Sequence, residues 1–327
     1  VKGLKFRGRA IRPWRFALQI GALIFLLGGA FGLRSFGEYP ALRSIFLPNA
    51  SCRYLNTAPT YCFYYTLQDG LTAGAATIWV EVIIVLLIVT LLILLLGRVW
   101  CSWLCPFGLV QELIMDLRNF LKIPPLRLKW SHLQILDRVK YALLFFTVLI
   151  SISIGISELG LASHATSWSL PFCQVCPAKG FFTIAQQVVG LESSSTRLPL
   201  MAWIMLSIFL VVSFPIKMFW CRVCPMGAYM SLLSKKSYLW LEKDPDKCTK
   251  CRICLRVCPV DHDRVFEEME GLDVGGRDCT LCGKCIEMCP EDGCLSLSAG
   301  SRRLVSSRKP DLGRSDASTG SRDRSRK

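Results

Sequence analysis

Four long apolar stretches alternate with polar, cysteine-bearing connections along this chain, near residues 16–33, 78–96, 138–156 and 200–218. Each approaches the roughly 20 residues, at about 1.5 Å of rise apiece, that a helix needs to cross a bilayer. The stretch from Ile78 to Leu96 is the most uniform, mainly Ile, Leu and Val with Glu81 as its one ionisable residue. The first holds Gly21, Gly28, Gly29 and Gly32, and the spacing of Gly28 and Gly32 suits close approach of another helix. Between the second and third stretches, Leu109, Leu113, Leu117 and Leu121 share one helical face, suited to a membrane surface or to packing against the bundle. The pattern predicts a mostly α membrane protein, a four-transmembrane-helix bundle.

Charge sets an expected orientation. Lys2, Lys5, Arg7, Arg9, Arg12 and Arg15 precede the first stretch, and Arg98, Arg118, Lys122, Arg127, Lys129, Arg138 and Lys140 cluster around the second connection. Residues 34–77 hold only Arg34, Arg43 and Arg53, and residues 157–199 only Lys179 and Arg197. Since Lys and Arg are retained inside, the pattern predicts a multi-pass protein of a prokaryotic cytoplasmic membrane with both termini cytoplasmic. A chain with 52% hydrophobic and 19% charged residues also argues against global disorder and against a nucleic-acid-binding domain, despite a formal charge of +15. The basic residues then face anionic membrane lipid.

The composition divides the chain into a basic N-terminus at 1–15, a membrane domain at 16–243, a cysteine-dense block at 244–296 and a basic tail at 297–327. The tail is rich in Ser, Gly, Arg and Asp and is expected to be disordered.

Seventeen cysteines, many beside prolines, point to ligation of metal rather than to core packing. Cys248-x2-Cys251-x2-Cys254-x3-Cys258-Pro259 recurs as Cys279-x2-Cys282-x2-Cys285-x3-Cys289-Pro290. In this two-cluster ferredoxin run three thiolates hold one cubane and the fourth reaches across to the other. Cys248, Cys251, Cys254 and Cys289 are thereby expected on one [4Fe–4S] cluster, and Cys258, Cys279, Cys282 and Cys285 on a second, in a cytoplasmic α+β domain. Zinc would leave the duplicated fourth cysteine unexplained. Cys101-x3-Cys105-Pro106 follows the second stretch and Cys221-x2-Cys224-Pro225 the fourth, so together they supply four thiolates for a third cluster at the inner face. Two unligated pairs, or zinc, are the alternatives. Cys52 and Cys62, with Cys173-x2-Cys176-Pro177, form corresponding outer pairs in an internal repeat. They suit a fourth cluster, disulfides, or thiol–disulfide exchange with a quinone. Cys294 has no partner in this scheme and is expected to be buried beside the ferredoxin clusters.

With four apolar stretches, Cys101-Ser-Trp-Leu-Cys105-Pro106-Phe-Gly108, Cys221-Arg-Val-Cys224-Pro225-Met-Gly227 and the double ferredoxin run, residues 10–296 resemble the membrane polyferredoxins. These include the NapH-type subunit of periplasmic nitrate reductase systems and the iron–sulfur half of NosR-type proteins. The resemblance implies an electron-transfer subunit of a membrane oxidoreductase complex, working between the quinone pool and partner redox subunits, haem proteins among them. The outer cysteines depart from the family pattern. Clusters carry single electrons, so bond-making chemistry is expected in a partner; a maturation, regulatory or metal-reducing role is the rival. Outer and inner cysteines on opposite faces of an about 30 Å bilayer would need a carrier between them. Glu81, Glu158 and His164 fall together near the outer face as a candidate quinone site, or are interfacial and loop residues.

Overall fold

The computed structural model describes residues 11–26, 62–73, 76–126, 130–156, 170–188, 200–269 and 273–308. Cys52, Glu158 and His164 lie outside the described residues, as do the side chains of Glu81 and His132.

Helices α1 (Ile11–Leu26), α2 (Phe63–Ala73), α3 (Ala76–Leu96), α4 (Val99–Trp103), α5 (Pro106–Phe120) and α6 (Trp130–Gly155) open a helical body. It is completed by α7 (Pro171–Val175), α8 (Pro177–Val188), α9 (Leu200–Ser213), α10 (Phe219–Val223) and α11 (Pro225–Ser234). The expected four-transmembrane-helix bundle is not found: among the described residues no helix is long and apolar enough to cross a membrane. Among the described residues, polar and charged side chains enter two of the helices and a third ends early. Helix α1 has 16 residues and carries Arg12, Arg15 and Gln19. Helix α9 stops after 14, two residues before Pro215, and α6 carries Asp137, Arg138 and Lys140. Helix α3, at 21 residues, comes nearest. The orientation inferred from charge rested on those crossings and falls with them.

Sequence periodicity explains how α3 packs. Val82, Val85, Val89 and Ile93 recur at helical spacing and are buried, whereas Ile83, Ile84, Leu87, Ile88, Leu91 and Leu95 are exposed. The buried stripe meets α2 and α11. Helix α2 folds back between α3 and α6, and it crosses α6 closely because Gly155 lacks a side chain; a Cβ there would lie 2.1 Å from the Leu71 carbonyl oxygen. Helix α8 similarly returns along α9. On α5, Leu109 is buried but Leu113 and Leu117 are about half exposed, at 47% and 53%, as is Leu121 just beyond the helix, at 50%. The buried face instead carries Gln111, Glu112, Met115 and Arg118, so the leucine spacing does not mark the packed side.

After α11 comes a smaller unit of β1 (Leu239–Lys243), α12 (Ile253–Val257), α13 (Arg264–Glu267), α14 (Lys284–Met288), β2 (Leu295–Ala299) and β3 (Arg302–Ser306). Its antiparallel sheet has the order β1-β2-β3, pairing Leu241 with Leu297 and Leu297 with Val305. This strand pairing carries regular structure through Ser306, into the segment whose composition suggests disorder. Leu239, Leu241, Val265, Val274, Ile286 and Leu295 fill the core of the unit.

Charged groups dock the unit on the helical body. Asp278 accepts hydrogen bonds from Arg98 Nη1 at 2.8 Å, Lys140 Nζ at 2.6 Å and Ser231 Oγ at 2.9 Å. Glu112 pairs with Arg15 and, at 2.9 Å, with Lys284. Burial alone would raise both carboxyls, but these cations hold Asp278 and Glu112 below the usual carboxylate range.

Candidate metal centres

Local backbone chemistry positions the thiols. A residue before proline is driven out of the helical region, and Cys105, Cys176, Cys224, Cys258 and Cys289 all adopt extended conformations, with ψ between 115° and 127°. At three of them the proline then opens a new helix: Pro106 on α5, Pro177 on α8 and Pro225 on α11. Each of these cysteines therefore sits at a break between two helices, with the free N–H groups of the second helix beside it. Gly108 lets the break close tightly, since a Cβ would lie 2.3 Å from the Cys101 carbonyl oxygen.

Three cavities collect most of the cysteines. Cys101, Cys105, Cys221 and Cys224 line one, walled by Phe107, Gln111 and Trp220. Cys248, Cys251, Cys254 and Cys289 line a second, where Cys294 also sits. Cys258, Cys279, Cys282 and Cys285 line a third, which Cys254 also reaches. Both ferredoxin quartets thus gather in the groups their spacing suggests, and the two inner pairs gather although 120 residues separate Cys101 from Cys221. Cys294 is buried, as expected, with its Sγ 3.7 Å from the Asp244 carbonyl oxygen.

Each cavity presents at least four thiols, a donor set that suits an iron–sulfur cluster. Burial pushes Cys221, Cys279 and Cys285 up, and Cys224 and Cys258 up to about 12, so without a cation these groups stay protonated. Bound iron reverses that preference, because metal coordination deprotonates a thiol outright.

Hydrogen bonds link the cavities. Ser102, beside Cys101, donates to the Thr280 carbonyl at 2.5 Å, and Trp103 Nε1 donates to the Leu281 carbonyl at 3.1 Å, so the inner site abuts the Cys279–Cys285 site. Gln111, which sequence reasoning missed, is 1% exposed. Its Nε2 donates to Cys221 Sγ at 3.3 Å while its Oε1 accepts from the Trp220 N–H at 2.9 Å.

The cysteines expected on an opposite face are not remote. Cys62, Cys176 and Cys224 pack in one apolar core, and Phe172 stacks on Trp220 with ring centroids 6.1 Å apart. The anticipated bilayer-wide gap is absent because α2, α7 and α8 are short and fold back beside α3, α6 and α9. Of the three candidate quinone residues, Glu158 and His164 lie outside the described residues and only the backbone of Glu81 lies within them.

Two family models match the chain. One, a 4Fe-4S binding domain, covers residues 78–124 and 198–247, and so includes the two inner pairs; a 4Fe-4S dicluster domain covers 241–301 and includes the ferredoxin run. An uncharacterized protein of Methanocaldococcus jannaschii is 30% identical over 200 residues, 61% of this chain and 73% of that one. The regulatory protein NosR of Pseudomonas aeruginosa is 28% identical over 51% of this chain, and the ferredoxin-type protein NapH of Escherichia coli is 29% identical over 58%. The match spans 21% of the length of NosR and 59% of NapH. No solved structure matches. These matches support [4Fe–4S] clusters as cofactors and electron transfer within a redox complex as the role. The chain belongs to the NapH/NosR-type polyferredoxin family.

Proposed function

We propose that the chain is a linear one-electron conduit, in which the two ferredoxin quartets and Cys101, Cys105, Cys221 and Cys224 each hold a [4Fe–4S] cluster. The observation that carries this reading is the continuity of the three thiol-lined cavities. Cys254 lines both ferredoxin cavities, and Ser102 and Trp103 bind the backbone of Thr280 and Leu281 between the second and the inner one. When bound, such clusters exchange single electrons without making or breaking covalent bonds, and potentials respond to hydrogen bonds and solvent exposure. The protein's part is to fix their order, exclude water and orient donors toward the sulfurs.

The electrons pass between partner redox subunits and a membrane. Membrane association is supported by the outward faces of α3, α6 and α9, where Leu87, Leu91, Phe145, Phe146, Trp203 and Val211 are exposed. Anaerobic stopped-flow reduction of the purified protein in detergent tests the conduit. Reduction by a soluble low-potential donor is expected to reach all clusters in the wild type. In Cys221→Ser the ferredoxin pair should reduce normally while about four irons and the associated visible absorbance are lost. Unchanged iron content in Cys221→Ser would refute the inner site.

A further inference from the structure

Cys62, Cys173 and Cys176 lie outside the residues that either family model matches. Several features of their surroundings nevertheless repeat those of the inner site, although Cys101 has no cysteine counterpart in that register. Gln68 follows Cys62 by six positions, as Gln111 follows Cys105. Gln68 is 0% exposed. Its Nε2 donates to Cys173 Sγ at 3.6 Å and its Oε1 accepts from the Phe172 N–H at 3.0 Å. Gln111 makes the same two contacts to Cys221 and to the Trp220 N–H. Each glutamine amide also donates to the carbonyl four residues earlier, Tyr64 for one and Phe107 for the other. The rings repeat as well: Tyr64 meets Phe172 edge-on at 5.4 Å, and Phe107 meets Trp220 edge-on at 6.1 Å.

The backbone carries the same duplication. Leu170 and Met218, each three residues before the first cysteine of its pair, both have left-handed φ, at 54° and 43°. Non-glycine residues rarely take that conformation, so its recurrence marks a constrained geometry. Cys176 and Cys224 then share the extended conformation before proline. A disulfide needs none of this apparatus, whereas an anionic centre does, because donors aimed at sulfur stabilise thiolate and bridging sulfide.

We propose that Cys62, Cys173 and Cys176 hold an additional cubane-type iron–sulfur cluster, with Gln68 as its positioning residue, placed next to the inner site through the Phe172–Trp220 stack. This rests on the inner site holding a cluster, since the argument is the equivalence of the two. The site extends the conduit by one step within the helical body, and one electron transferred into it leaves its neighbour oxidised by one with no proton or bond to balance.

Iron and acid-labile sulfide content, measured on anaerobically purified full-length protein, separates the two assignments. The wild type should hold about sixteen irons, Cys62→Ser and Cys173→Ser about twelve each, and Cys173→Ser/Cys221→Ser about eight. Wild-type iron in both Cys62→Ser and Cys173→Ser, with loss in Cys221→Ser, overturns the additional site and leaves the inner one standing. No loss in Cys221→Ser either overturns both. A wild-type disulfide at Cys62 or Cys173, detected by alkylation and mass spectrometry, also overturns it. Should the serine variants fail to accumulate, Gln68→Leu provides the reading: iron content should stay at the wild-type value while one electron paramagnetic resonance signal shifts its midpoint. An unshifted set of signals overturns the proposal.

Discussion

Replacing Asp278 by Asn should detach the ferredoxin unit from the helical body more readily than any exposed charge change. The carboxylate receives Arg98, Lys140 and Ser231 within 2.6–2.9 Å, and the two cations are 2% and 1% exposed. Asparagine preserves the shape but leaves buried Arg98 without a counter-charge and Lys140 with only the half-exposed Asp137, at 2.9 Å. Breaking one partner of a buried ion pair costs about 3–5 kcal/mol. Asp278 is itself 31% exposed, so water offsets part of the loss and the lower end of that range applies. At about 4–8 °C per kcal/mol for a unit of roughly 70 residues, the midpoint of thermal loss of cluster absorbance should fall by roughly 12–24 °C. Asp116→Asn is the control. Its pair with Arg12 is exposed on both sides, at 59% and 39%, and such pairs contribute about 0–1 kcal/mol. Equal midpoints for the two variants would refute the docking role of Asp278.

Glu112 and Asp278 set a pH dependence of the same origin. Both carboxyls are depressed in the folded protein, so their stabilisation is fully present above the unfolded values near 4 and is lost as pH falls through the folded ones. Acid titration should therefore show the midpoint of unfolding dropping below about pH 4, and a flat profile there would contradict the pairing. Gln111→Leu removes the donor to Cys221 Sγ while keeping the volume; the midpoint potential of one cluster should shift with iron content unchanged, read by redox-poised electron paramagnetic resonance. Gly108→Ala should lower stability by about 1–3 kcal/mol and deplete the inner site first, because its methyl would collide with the Cys101 carbonyl oxygen. Iron retention at the wild-type level in that variant would argue against a tight break at Cys105.

Short-range chemistry was legible in the sequence, and long-range geometry less so. The three-residue spacings and the prolines dictate where the ferredoxin thiols point, because Cys-Pro forces an extended residue whatever surrounds it. The four apolar stretches gave poorer guidance. Hydropathy does not register that α9 ends at Ser213 ahead of Pro215, or that α2 and α8 turn back as short helices. Those returns bring Cys62, Cys173 and Cys176 beside the inner pairs. The buried glutamines were missed since an isolated Gln in an apolar helix is unremarkable, yet Cys-x5-Gln at both Cys62 and Cys105 was a readable repeat. The leucines of α5 misled for the opposite reason. Their face is half exposed, whereas Glu112 and Arg118 are buried among partners that no local pattern reveals.

Anomalous diffraction at the iron edge tests the account most directly, because it locates iron without relying on function. An anomalous difference map from anaerobically grown crystals should show density enclosed by Cys101, Cys105, Cys221 and Cys224, in line with the two ferredoxin centres. Density confined to the ferredoxin unit, or a single compact zinc-edge peak between the inner cysteines, would contradict it.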